Sequence, residues 1–205
     1  MESSPRVSSV AGALARGRAR AAVALARRRV PLGFAFGGIV MLLAAPTLVT
    51  LIVGSAVAVA GEALRFWAAG HLNKAREVTV SGPYRWFAHP LYVGLAVIGV
   101  GLAIACASVA DAVLIAAYLI VTLTAAVTSE EAFLRRKFGD RYDRYRNGET
   151  AAPTEGRFSF ALAMSNREYR AVVGLVVAVL LLSLAATYNE PFWRAAGTRI
   201  WRPGG

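Results

Sequence analysis

Five apolar stretches, nearly free of charge, recur along the chain: Leu32–Ala45, Thr47–Ala69, Pro90–Val109, Ala112–Thr128 and Ala171–Tyr188. A bilayer core takes about 20 mainly apolar residues per helix, and shorter spans are matched by tilt, thinning or snorkelling. The pattern therefore predicts an all-α, polytopic transmembrane bundle of about five spans. Pro46 marks the turn, or a kink, between the first two stretches, and Asp111 a short turn between the third and fourth. Composition agrees, since 57% of the 205 residues are hydrophobic against roughly 45–50% in soluble domains.

The charges fall between these stretches, and their distribution sets an orientation. Seven arginines precede residue 30, three basic residues lie in 70–89, nine in 130–170 and three after 190. With a cytoplasmic N-terminus, the first three groups all lie inside, and the turns near Pro46 and Asp111 lie outside without any. This is the positive-inside pattern. It also argues against nucleic acid as the partner of a chain with net charge +11, because a nucleic-acid domain sets its basic residues beside a soluble core. Arg27–Arg28–Arg29 resembles a twin-arginine export signal only faintly; a positive-inside anchor explains it better. Cys106 stands alone in an apolar run, which excludes an internal disulfide and a CxxC motif. No CaaX box closes the chain.

The expected organisation is a basic cytoplasmic leader over 1–30, a membrane core over 31–147, a cytoplasmic linker over 148–170, and a further span with a short tail over 171–205. Within the core, residues 129–147 are expected to form a separate amphipathic helix at the cytoplasmic interface. There Phe133, Leu134, Phe138, Tyr142 and Tyr145 recur at helical spacing among basic residues.

Chemistry gathers in two places. The loop 70–89 holds both histidines, His71 and His89, with Lys74, Arg76, Glu77, Thr79, Tyr84, Arg85 and Trp86; Tyr92 lies just beyond. Glu130 and Glu131 follow the fourth stretch directly. A carboxylate at a membrane edge is costly unless paired or hydrated. On the predicted topology both groups share one face, and together they suit a charged, nucleoside-like ligand. They do not suit a metal, since the histidines are eighteen residues apart with no HxxxH or HExxH spacing. Glu62 and Arg65, one turn apart, read as a structural ion pair. Trp67 and Trp86 read as interfacial belt residues.

Three motifs in order carry a resemblance: Arg65-Phe-Trp-Ala-Ala-Gly-His-Leu-Asn-Lys74, SGPYRWFAHPLYVG from Ser81 to Gly94, and EEAFLRRKFGDRYDRY from Glu130 to Tyr145. Residues 62–145 resemble the isoprenylcysteine carboxyl methyltransferase and phospholipid methyltransferase family of integral membrane enzymes. The resemblance implies S-adenosylmethionine-dependent methyl transfer onto a lipophilic or lipid acceptor at the cytoplasmic face of a bacterial inner membrane. It places S-adenosylmethionine on Arg76, Glu77, Val78, Thr79, Tyr84, His89, Pro90, Leu91, Tyr92 and Glu130. An amine or phenol acceptor must lose a proton, for which His89 and Glu131, with His71, are the candidates. Two positions depart from the family. Ala88 replaces the arginine of RHP, and Ala126 replaces an arginine that contacts the substrate carboxylate, a role that Arg65 or Arg85 would have to fill. Two other readings stay open: a sterol-reductase-like membrane enzyme using NADPH, and a non-catalytic protein with a vestigial site.

Overall fold

The computed structural model describes residues 35–73, 78–149 and 156–187. The chain divides into two compact units, Met1–Leu42 and Leu43–Gly205. Of the first, residues 35–42 are described, in a helix, α1, that ends at residue 43; all that follows lies in the second. Every regular element among the described residues is helical: α2 (Leu48–Ala69), a 3-10 turn at Gly82–Arg85, α3 (Pro90–Cys106), α4 (Val109–Phe138), α5 (Asp140–Arg146), α6 (Phe160–Ser165) and α7 (Tyr169–Ala186). Three helices, α2, α4 and α7, are long and apolar enough to cross a bilayer, and α3 is a shorter apolar helix. At 17 residues, α3 sits at the lower limit for a span.

The turn expected at Pro46 is present, and its chemistry is local. Thr47 caps α2: its hydroxyl accepts from the Thr50 N–H at 3.2 Å, and the Thr50 hydroxyl accepts from the Thr47 N–H at 2.9 Å. Both donors are ones that a helix start leaves orphaned.

α2 and α3 then pack backbone to backbone. A Cβ at Gly61 would stand 2.7 Å from the Gly94 carbonyl and the Ile98 amide, and one at Gly101 would meet the Ala58 amide and the Gly54 carbonyl. Small residues at helical spacing permit this approach, which in lipid stands in for hydrophobic association. We expect Gly101→Val to destabilise the protein by about 1–3 kcal/mol. Gly174→Ala, at a position with nothing within 4 Å, should leave the detergent melting temperature unchanged. Equal melting of the two variants would show that the seam is not tight.

Two sequence expectations are corrected. Asp111 does not punctuate the turn. Ala107, at φ 52°, ends α3, Ser108 caps α4 by accepting from the Asp111 N–H at 3.3 Å, and Asp111 lies fully buried in the first turn of α4. Nor does a separate interfacial helix begin at 129. α4 continues unbroken to Phe138, because no glycine or proline interrupts 109–138; a change from apolar to charged composition does not itself stop a helix. The break comes at Gly139, at φ 50°, a conformation that suits glycine, and α5 carries the remaining aromatic stripe. The 148–170 segment also contains α6. Its Asn166 amide donates to the Ala69 and Leu72 carbonyls at 2.9 Å each, tying the segment to the end of α2.

Candidate active site

The end of α2, the loop after it, the start of α3, the end of α4 and α5 enclose a cavity of about 430 Å³, within the range of small-molecule sites. Its lining includes Arg65, Leu72 and Asn73; Val78, Thr79, Tyr84 and Ala88; His89, Leu91 and Tyr92; Glu130, Phe133 and Leu134; and Tyr142 and Tyr145.

Local geometry explains why these side chains converge. Pro90 opens α3, where its missing N–H costs nothing. His89 stands just outside the helix at the N-cap, in a non-helical conformation (φ −134°, ψ 63°). The imidazole lies between the paired carboxylates of α4, with Nε2 3.3 Å from Glu131 and Nδ1 3.7 Å from Glu130. The Tyr92 hydroxyl meets Glu130, and the Tyr92 ring packs 5.8 Å from His89. Glu131 is held further by Arg135 at 3.4 Å and by Arg146 of α5. The Tyr145 hydroxyl donates to the Tyr84 carbonyl at 2.8 Å, tying α5 to the 3-10 turn.

The cavity's buried polar groups are hydroxyls in their neutral form. Burial, reinforced by the nearby Glu130, pushes the Tyr84 phenol well above its ordinary range. Burial and then Tyr142 push Tyr145 up to about 12. Tyr84 is 8% exposed, yet its hydroxyl and those of Thr79 and Tyr142 have no hydrogen-bond partner among the described residues. A buried orphan hydroxyl costs about 1–3 kcal/mol, so the cavity suits a ligand that brings polar partners.

A sequence profile of the phospholipid methyltransferase family matches residues 34–141, more than half the chain. The chain belongs to the phospholipid methyltransferase family. It is also similar to a protein-S-isoprenylcysteine O-methyltransferase of Schizosaccharomyces pombe, 30% identical over 92 residues. That match covers 45% of this chain and 39% of the yeast protein, so the chain spans about two fifths of that relative's length. No solved structure matches.

Of the residues assigned to S-adenosylmethionine by resemblance to this family, the cavity gathers Val78, Thr79, Tyr84, His89, Leu91, Tyr92 and Glu130. Pro90 is fully buried in the first turn of α3. Arg76 and Glu77 lie outside the described residues. Glu131 is not among the lining residues, its carboxylate being taken up by His89, Arg135 and Arg146. His71 also stands apart. It is buried, shares a 3.2 Å hydrogen bond with Ser81 and packs on Trp67 and Phe158. Its burial, and then Arg85, lower its pKa.

Sequence reasoning missed Tyr142 and Tyr145 as cavity residues, and offered Arg65 only as a stand-in for the arginine missing at Ala126. Arg65 does meet Glu62, its expected partner, at 3.4 Å, but its shorter contact, 2.6 Å, is to Glu168 at the start of α7. The two tyrosines were visible as an apolar stripe. Their three-residue spacing gave a face, but only the turn at Gly139 aims that face at the cavity.

Proposed function

We propose that the chain transfers a methyl group from S-adenosylmethionine to a lipophilic acceptor at the cytoplasmic edge of a bacterial inner membrane, with its N-terminus inside. The observation that carries this reading is the convergence of Tyr84, His89, Tyr92 and Glu130 on one cavity whose buried hydroxyls at Thr79, Tyr84 and Tyr142 have no hydrogen-bond partner among the described residues. The residues fit the cofactor. Tyr84 and Tyr92 offer ring faces to a sulfonium, Glu130 suits its cationic groups, and the hydroxyls of Thr79 and Tyr84 suit its polar ones. When bound, S-adenosylmethionine supplies an electrophilic methyl group with a neutral thioether as leaving group.

The protein's share is orientation and exclusion of water, worth up to roughly 7–11 kcal/mol when alignment is good. Phe133, Leu134 and Tyr142 close the cavity with ring and aliphatic surface. His89 is the residue placed to take a proton from an amine, hydroxyl or phenol. Glu131, braced by two arginines, holds the imidazole and acts as a positioning residue. Family membership favours methyl transfer over the reductase reading.

The test is to incubate purified protein and total bacterial lipid with methyl-labelled S-adenosylmethionine. Label should enter the lipid fraction. His89→Ala should slow this about a hundredfold, within the range of general-base contributions, whereas His71→Ala should change it less than threefold. Cofactor binding without label in any lipid would overturn the reading in favour of a vestigial site.

A further inference from the structure

A second and larger space lies beside α2. α2 and α7, with Phe158, form an apolar groove of about 830 Å³. Its lining includes Ser55, Glu62, Phe66 and Trp67 on α2 and Val176 and Leu180 on α7. Ser55 to Trp67 is twelve residues, so the groove follows α2 for about 18 Å. No lining residue is common to the groove and the cavity, and α7 lies beyond the residues matched by the family.

Two polar groups are buried beneath this apolar lining, and neither has a hydrogen-bond partner among the described residues: the Ser55 hydroxyl and the Glu62 carboxylate. Glu62 is 6% exposed. Its nearest cation, Arg65, stands 3.4 Å away at Nε, while the same guanidinium reaches Glu168 at 2.6 Å through Nη2 and 2.7 Å through Nε. One guanidinium thus faces two buried carboxylates and favours the other one. Glu62 is left as an under-neutralised acid at membrane depth, which is expensive unless something supplies charge or donors. A neutral acyl chain would cover the groove but leave Glu62 as it is. An ammonium on an apolar tail would satisfy both.

We propose that the α2–α7 groove is a binding site for a lipophilic amine, whose protonated nitrogen donates to Glu62 and whose tail lies along Val176 and Leu180. The site is defined by its own residues and stands whether or not the cavity transfers methyl groups.

The probes are stearylamine and stearyl alcohol carrying the same chain nitroxide, offered to the full-length protein in phosphatidylglycerol nanodiscs. The readout is the motionally restricted spectral component. The wild-type protein should restrict the amine about tenfold more strongly than the alcohol, the scale of a charge-assisted hydrogen bond. Glu62→Gln should abolish that preference and leave the alcohol unchanged. Val176→Trp, which plugs the groove from a half-exposed position, should abolish it with Glu62 intact, and this decides the matter if Glu62→Gln does not fold. Equal restriction of the two probes by wild type would overturn the proposal. So would a preference that survives either substitution.

Discussion

Offered farnesyl-cysteine analogues beside total bacterial lipid, the purified protein is expected to methylate a lipid amine, hydroxyl or phenol, and to esterify the cysteine analogue more than a hundredfold more slowly. The reasoning starts at Ala126. α4 is continuous there, so position 126 lies one turn before Glu130 on the same helix face. An arginine at that point could hold a carboxylate by two parallel hydrogen bonds; alanine offers neither donor nor charge. The two side chains that could compensate do not. Arg65 reaches the cavity but is committed to Glu168 and Glu62. Arg85 is exposed and is not among the lining residues. Leaving a buried charge without its partner costs about 3–5 kcal/mol, and each 1.36 kcal/mol is about tenfold in rate. The same experiment on Ala126→Arg should raise methyl-ester formation. Efficient esterification by the wild-type protein would refute the prediction, and would align this chain with the activity for which its yeast relative is named.

The second large effect is expected at Glu130. It lines the cavity, meets Tyr92 and stands 3.7 Å from His89. Glu130→Ala removes a carboxylate suited to the cofactor's cationic groups, and charge-assisted hydrogen bonds contribute about 1.5–3 kcal/mol each. S-adenosylmethionine affinity should fall about thirtyfold, measured by calorimetric titration in detergent, with the melting temperature of the unliganded protein as a folding control. Tyr92→Ala and His89→Ala should weaken binding as well. Glu131→Ala should act mainly on turnover, because its contacts are to His89, Arg135 and Arg146. Unchanged affinity across the first three variants would place the cofactor elsewhere.

The helices that cross the membrane were legible because each is a local matter of apolar length, ended by a proline, a capping hydroxyl or a glycine. Thr47 and Gly139 show the difference between a good and a poor local signal. Pro46 before Thr47 announces a break. The boundary near 128 rested on a change in composition, which carries no backbone consequence, so the true break fell eleven residues later. The cofactor-like motifs were legible as motifs, yet their assembly was not. Nothing in the sequence pairs Arg65 with Glu168, or brings Tyr145 to Tyr84, since both contacts are long-range. The glycine seam between α2 and α3 was likewise hidden. Gly54, Gly61, Gly94 and Gly101 have the right spacing, but only packing reveals which face of each helix they occupy.

The continuity of α4 fixes how the site is mounted. Thirty residues at 1.5 Å each make a rod of about 45 Å, longer than the roughly 30 Å hydrocarbon layer. Glu130 and Glu131 therefore ride on a stiff extension of a membrane-crossing helix, with no joint between them and the span. Their height is set by counting residues down that span, and their direction by its rotational phase. One residue inserted between Val109 and Thr128 would swing both carboxylates by about 100° and lift them by 1.5 Å, away from His89. The same insertion beyond Gly148 would move neither. Length in this helix is thus under the same constraint as chemistry.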